Sequence, residues 1–115
     1  MTLFTDNVQS ALERAMDGVA MRQRISAQNI ANALTPGYKA QTVSFESDLA
    51  SALANGQDAS QAAVTVQQSD APADERGNSV DLATESTSLM TSGLQYESLV
   101  AATNYRFGVL RAALR

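Results

Sequence analysis

The chain of 115 residues contains no cysteine, no histidine and no tryptophan. Without cysteine there is no disulfide framework and no thiolate metal site. Without histidine the commonest general base and the commonest transition-metal ligand are missing, so nucleophilic triads cannot be completed in their usual form. Aromatics make up only 5% of the residues. Much of the 44% hydrophobic fraction is alanine. A core built from alanine and a few Leu, Val and Met is thin, and small domains are marginal to begin with. The chain is therefore expected to bury apolar stripes against other chains. No stretch approaches the roughly 20 apolar residues of a membrane span, so no membrane insertion is expected. Asp6, Glu13, Arg14 and Asp17 interrupt any hydrophobic signal-peptide segment near the start. The net charge is −4 with no basic cluster, which makes nucleic acid a poor partner. No calcium loop or Gly-rich phosphate loop is present, and neither a cofactor nor a metal is expected.

What is present is a pair of helical patterns around a polar middle. Residues from about Thr5 to Leu34 read as one amphipathic helix, with Thr5 or Asp6 as N-cap. Its apolar positions are Val8, Leu12, Met16 and Val19, then Ile30 and Leu34. Between them Arg22, Gln23 and Ser26 turn the face polar. Either the helix is only partly buried, or its middle meets polar neighbours in an assembly. Gly18 reads as a weak point, costing about 1 kcal/mol relative to Ala in a helix interior. The helix closes on the run Asn29-Ile30-Ala31-Asn32-Ala33-Leu34-Thr35-Pro36-Gly37-Tyr38-Lys39. Pro36 has no N–H to donate and biases Thr35 away from helical angles. Gly37 suits the positive φ that the third residue of a type II turn needs. The helix should stop near Leu34, with Tyr38 packed beside the turn and Lys39 at the surface.

Residues 41–81 differ in character. Seven acids (Glu46, Asp48, Asp58, Asp70, Asp74, Glu75, Asp81) stand against one base, Arg76. Val43, Phe45, Leu49 and Leu53 suggest a short helix or an extended piece packing back on the core, and Val64-Thr65-Val66 a short strand. The remainder buries too little apolar surface to offset its ordering entropy and is expected to be mobile in a free monomer.

The far end carries the cleanest pattern. From Leu82, alternate steps of four and three reach Ser86, Leu89, Gly93, Tyr96, Val100, Thr103, Phe107, Leu110 and Leu114. This register over Asp81–Ala113 has seven apolar positions of ten. Asp81 or Ser79 suits the N-cap, and Arg111 and Arg115 suit the C-terminal dipole. A helix of ~30 residues is ~45 Å long, too long for so small a chain to cover alone. The stripe is therefore expected to serve both as a seam with the first helix and as a seam with neighbouring subunits. The fold expected is all-α: two long terminal helices in a coiled-coil-like pair, with an irregular, partly extended middle, ordered mainly in an assembly. The divisions are 1–34, 35–80 and 81–115.

The run Asn29-Ile30-Ala31-Asn32…Thr35-Pro36-Gly37-Tyr38-Lys39 resembles the N-terminal signature of bacterial flagellar rod, hook and hook-associated proteins. The C-terminal Arg106-Phe107-Gly108-Val109-Leu110-Arg111-Ala112-Ala113-Leu114 is similar to the ending of a proximal rod member of the basal-body rod family. The resemblance implies a non-enzymatic structural subunit, self-associated in a helical tube and exported without a cleaved signal peptide through the flagellar type III export apparatus. It implies partners in the rod–ring adaptor protein FliE and the neighbouring rod protein FlgC, and a location in the rod on the periplasmic side of the inner membrane. A soluble coiled-coil adaptor or export chaperone of the same secretion system is the competing reading.

Overall fold

The computed structural model describes the backbone of residues 2–114 and the side chains of residues 7–114. It is 62 Å long and 26 Å by 13 Å across. The two terminal helices set that length. Helix α1 spans Thr2–Ala31 and helix α3 spans Leu82–Ala113. Between them lie strand β1 (Gln41–Ser44), helix α2 (Glu46–Ala54), a single 3-10 turn at Ala59–Gln61 and strand β2 (Thr65–Gln68). The two strands pair antiparallel, with Val43 opposite Val66 and Gln41 opposite Gln68.

Helix α1 begins upstream of the expected cap at Thr5 or Asp6 and stops at Ala31 rather than Leu34. The early stop has a local cause. The last N–H groups tighten to 3-10 spacing, Ala33 onto Ile30 and Thr35 onto Asn32. The Asn32 side chain then caps the end by donating to the Gln28 carbonyl at 2.8 Å. Leu34 consequently leaves the helix face and is exposed. Helix α3 starts where its sequence says: the Asp81 carboxylate accepts from the N–H groups of Ala83 and Thr84. Arg115 lies outside the described residues.

The principal departure concerns the core. Its buried members are Val19 and Ile25 of α1 with Val43, Phe45, Leu49, Ala52, Ala59 and Ala62 of the middle segment. Val43, Phe45 and Leu49 pack back on α1 as expected, and Ala59 and Ala62, from the remainder expected to bury too little, join them there. Helix α2 turns Leu49 and Ala52 inward, while Leu53 stays exposed. Gly18 is the contact that permits this. A Cβ there would clash with the Phe45 ring. The weak point in helix propensity is thus the seat of the largest core side chain. The layers run from the middle segment through α1 to α3, with α1 packed on both sides.

Candidate functional site

The signature turn is a junction of three chain segments. Asn29, 0% exposed, uses both ends of its amide. Its Nδ2 donates to the Gln41 carbonyl at 2.8 Å and to the Glu85 carboxylate at 2.9 Å. Its Oδ1 accepts from the Gln41 N–H at 3.0 Å and from the Tyr38 hydroxyl at 3.3 Å. One side chain therefore ties the end of α1 to the start of β1 and the first turn of α3. Tyr38 is half-buried, as a packing role requires, and Lys39 is exposed.

The turn itself has the expected chemistry. Gly37 has φ of 77°, and the Tyr38 N–H donates to the Thr35 carbonyl at 3.2 Å. That is the 1→4 bond and the positive third-residue angle of a type II turn. Thr35 also donates its hydroxyl to Asn32 Oδ1. The turn docks on a second, Asp74-Glu75-Arg76-Gly77-Asn78-Ser79. Gly37 N–H donates to the Arg76 carbonyl at 2.9 Å. Asn78, buried, donates through Nδ2 to the carbonyls of Asn32 (2.9 Å) and Thr35 (2.8 Å). Ser79, also buried, donates its N–H to the Tyr38 carbonyl and accepts from the Ala40 N–H. Gly77, φ 80°, lies against Gly37, where a Cβ would stand 3.4 Å from the Gly37 Cα. Asp74 holds its own loop by accepting from the Arg76 and Asn78 N–H groups. Those bonds, the Asn78 one foremost, lower its carboxyl from the usual aspartate range.

The polar middle of α1 meets polar partners within its own chain. Arg22 makes a two-pronged pair with Glu46 at 2.7 and 2.8 Å, donates to the Val43 carbonyl at 2.7 Å, and lies over the Phe45 ring 5.0 Å from its centre. The Arg22 hydrogen bonds hold the Glu46 carboxyl down to about 2. On the side facing α3, the Ser26 hydroxyl donates to that of Ser88 at 3.1 Å. Ser92 of α3 is 1% exposed, and Gln23 stands beside Gly93.

The expected apolar seam behaves differently on the two helices. On α1, Val19 is buried, Leu12 and Met16 are half-buried and Val8 is exposed. On α3, the seam with α1 takes mainly the small and polar members of the stripe, Gly93 and Thr103. Leu89 is half-buried, but Leu82, Tyr96, Val100, Phe107, Leu110 and Leu114 are exposed, Phe107 by 47% and Leu114 by 82%. The residues α3 turns toward α1 are Glu85, Ser88, Ser92, Leu99, Thr103 and Arg106, spaced by threes, fours and a seven and mostly polar or small. Of the double role expected of the stripe, the contact with α1 falls to Gly93 and Thr103, and most of its apolar members stand exposed. Of the remaining signature residues, Ile30 and Asn32 are half-buried, while Ala31, Thr35, Pro36 and Gly37 are exposed.

Sequence reasoning named Ser79 only as a possible N-cap and Asp74 only among the acids of the middle segment, and gave none of Asp74, Asn78, Ser79 or Glu85 a part in the turn. Gly77-Asn78 is a turn-forming pair, but nothing in the local sequence ties it to the turn at residues 35–38, about forty positions earlier. Among the described residues, no group of His, Cys, Asp or Glu is placed to hold a metal, and no helix is long and apolar enough to cross a membrane. A groove of about 430 Å³ lies between α1, the start of α2 and α3, lined by Val19, Phe45, Leu94 and Leu99 among others. It carries no constellation of catalytic groups.

No protein-family model matches the chain. Individual relatives do. The flagellar basal body rod protein FlgB of Bacillus subtilis (strain 168) is 32% identical over 126 residues, covering 99% of this chain and 97% of the relative. FlgB of Escherichia coli (strain K12) is 31% identical, covering 84% and 87%. FlgB of Salmonella typhimurium (strain LT2) is 41% identical over 56 residues, covering 46% and 41%. Identity at this level along nearly the whole of both chains, with the signature turn folded as its residues require, places the chain in the family of the flagellar basal body rod protein FlgB.

Proposed function

We propose that the chain is a structural subunit of the proximal rod of the bacterial flagellar basal body. In that role it forms part of the wall of the export channel and transmits torque as part of the drive shaft. The observation that carries this reading, beyond family membership, is the bare apolar face of α3. Tyr96, Val100, Phe107, Leu110 and Leu114 stand exposed in one stripe along the helix, and Met90, Leu94, Tyr105 and Val109 are exposed on a different side of it. Contiguous apolar surface of this kind marks a protein–protein contact. A heterologous contact that repeats without closing builds a helical tube.

The terminal helices then supply the inner layers, with residues 1–34 and 81–115 as core segments and residues 35–80 as the outer part that sets lateral contacts. The partners on this reading are further copies of the chain, the rod–ring adaptor FliE, the neighbouring rod protein FlgC, and the type III apparatus that exports it. The location is the rod on the periplasmic side of the inner membrane.

The test places a charge on the bare face. Val100→Asp and Phe107→Asp should leave the isolated subunit folded by circular dichroism, because both positions are exposed in it. They should abolish motility and remove the chain from purified hook–basal bodies, since an unpaired charge would be buried on assembly. Motile cells carrying either variant in intact rods would overturn the assembly role of this face.

A further inference from the structure

Helix α3 is as long as α1 but contributes no residue to the buried apolar core; Leu99 alone among its side chains packs against that core, and only in part. Its buried residues are Glu85 and Ser92, both polar. The seam it makes with α1 runs through Asn29–Glu85, Ser26–Ser88 and the Gln23–Gly93 approach. Hydrogen bonds of this kind exchange for bonds to water on opening, so each contributes little net stability, whereas apolar burial is lost outright. The buried apolar partners of Val19 and Ile25 all lie in the middle segment.

The connection into α3 is built asymmetrically. Asn78 and Ser79 are pinned to the signature turn by their bonds to Asn32, Thr35, Tyr38 and Ala40. Past them, Val80 is half-buried and Asp81 is exposed. The Asp81 cap belongs to α3 itself and would travel with it. An anchored segment therefore ends where a self-capped rigid helix begins.

We propose that the chain is two cooperative units, a folded body of α1 with residues 40–68 and a lever formed by α3. The lever swings off as one helix about Val80–Asp81 while the signature turn holds its base. Opening would bare the polar face of α1 and free both faces of α3 together. Its bearing on assembly rests on the rod reading, whereas the opening itself does not.

The experiment is native-state hydrogen exchange on the full chain in low, increasing urea, read by mass spectrometry of fragments. Cooperative units open separately in such measurements. Amides of residues 88–103 should exchange together, and at least tenfold faster than those of residues 15–29 and 46–54. Exchange of all three segments on a single isotherm would overturn the proposal. The double variant S26C/S88C distinguishes a swing from local melting, because the two hydroxyls already meet at 3.1 Å. Oxidised, it should slow residues 88–103 as a group to the rate of α1, and reduction should restore the original rate. Protection confined to the few residues around the cross-link would mean that α3 melts piecemeal, which would equally overturn the lever.

Discussion

Helices α1 and α3 are nearly equal in length, 30 and 32 residues, and opposite in what they do with apolar side chains. Helix α1 has fewer and spends them inside: Val19 and Ile25 are buried and Met21 packs beside them. Helix α3 has more and leaves most of them bare. The difference teaches that apolar periodicity reports a surface to be covered and leaves open which chain covers it. In this chain, glycine and polar residues decide where intrachain contact occurs. Gly18 admits Phe45, Arg22 reaches Glu46, and Asn29 gathers three segments.

The comparison breaks most sharply at a pair of phenylalanines. Phe45→Ala should destabilise the isolated subunit by about 3–5 kcal/mol, as removal of a buried ring does. Phe107→Ala should change it by no more than about 0.5 kcal/mol, since the position is exposed. Urea titrations of the two variants side by side read both; equal losses would dissolve the contrast between the helices.

Next in size is Asn29→Ala. It leaves the Gln41 N–H and carbonyl and the buried Glu85 without their hydrogen bonds to Asn29, at a cost of about 1–3 kcal/mol. Its signature should be a loss of protection at Gln41 and in the first turn of α3, seen as local hydrogen exchange. Gly37→Val should cost about 1–2 kcal/mol through the left-handed angle alone, because nothing lies within 4 Å of a Cβ there. Gly37→Ala should be milder, and a Val variant as stable as the parent would show that the turn can reshape.

The smallest effect is the pH dependence of the Arg22–Glu46 pair. Glu46 titrates lower in the folded chain than unfolded, so its contribution is complete above its ordinary value near 4.5. It is lost as pH falls toward about 2. The Glu46 side chain is 59% exposed, which keeps the effect below about 1 kcal/mol. Glu46→Gln should therefore be less stable than the parent at pH 6, and the gap should narrow between pH 4.5 and about 2 in parallel thermal melts. A gap that stays constant with pH would assign the role of Glu46 to packing.

Several elements were legible in the residues. The Asp81 cap, the long helix after it and the Thr35–Tyr38 turn all rest on interactions within four positions, so local chemistry decides them. Val43 and Phe45 were legible as core candidates, and Val64-Thr65-Val66 as a strand within two positions of β2. The end of α1 was misplaced by three residues because Asn32, read as helix, caps the end instead. Gly18 was judged by helix propensity, although its lack of a side chain serves a ring 27 positions away.

By itself the sequence determined the two terminal helices, the stop between them, the family resemblance and the presence of an apolar face on α3. These follow from periodicity, capping and backbone restriction, all of which act over one or two turns. Only the tertiary structure decided that the middle segment takes the apolar side of α1 and that a polar seam holds α3. It also decided that the signature turn is clamped by Asn78 and Ser79. Each depends on which distant surfaces fit together, and the fit of a glycine to a ring or an amide to three segments is set by packing that no local pattern contains.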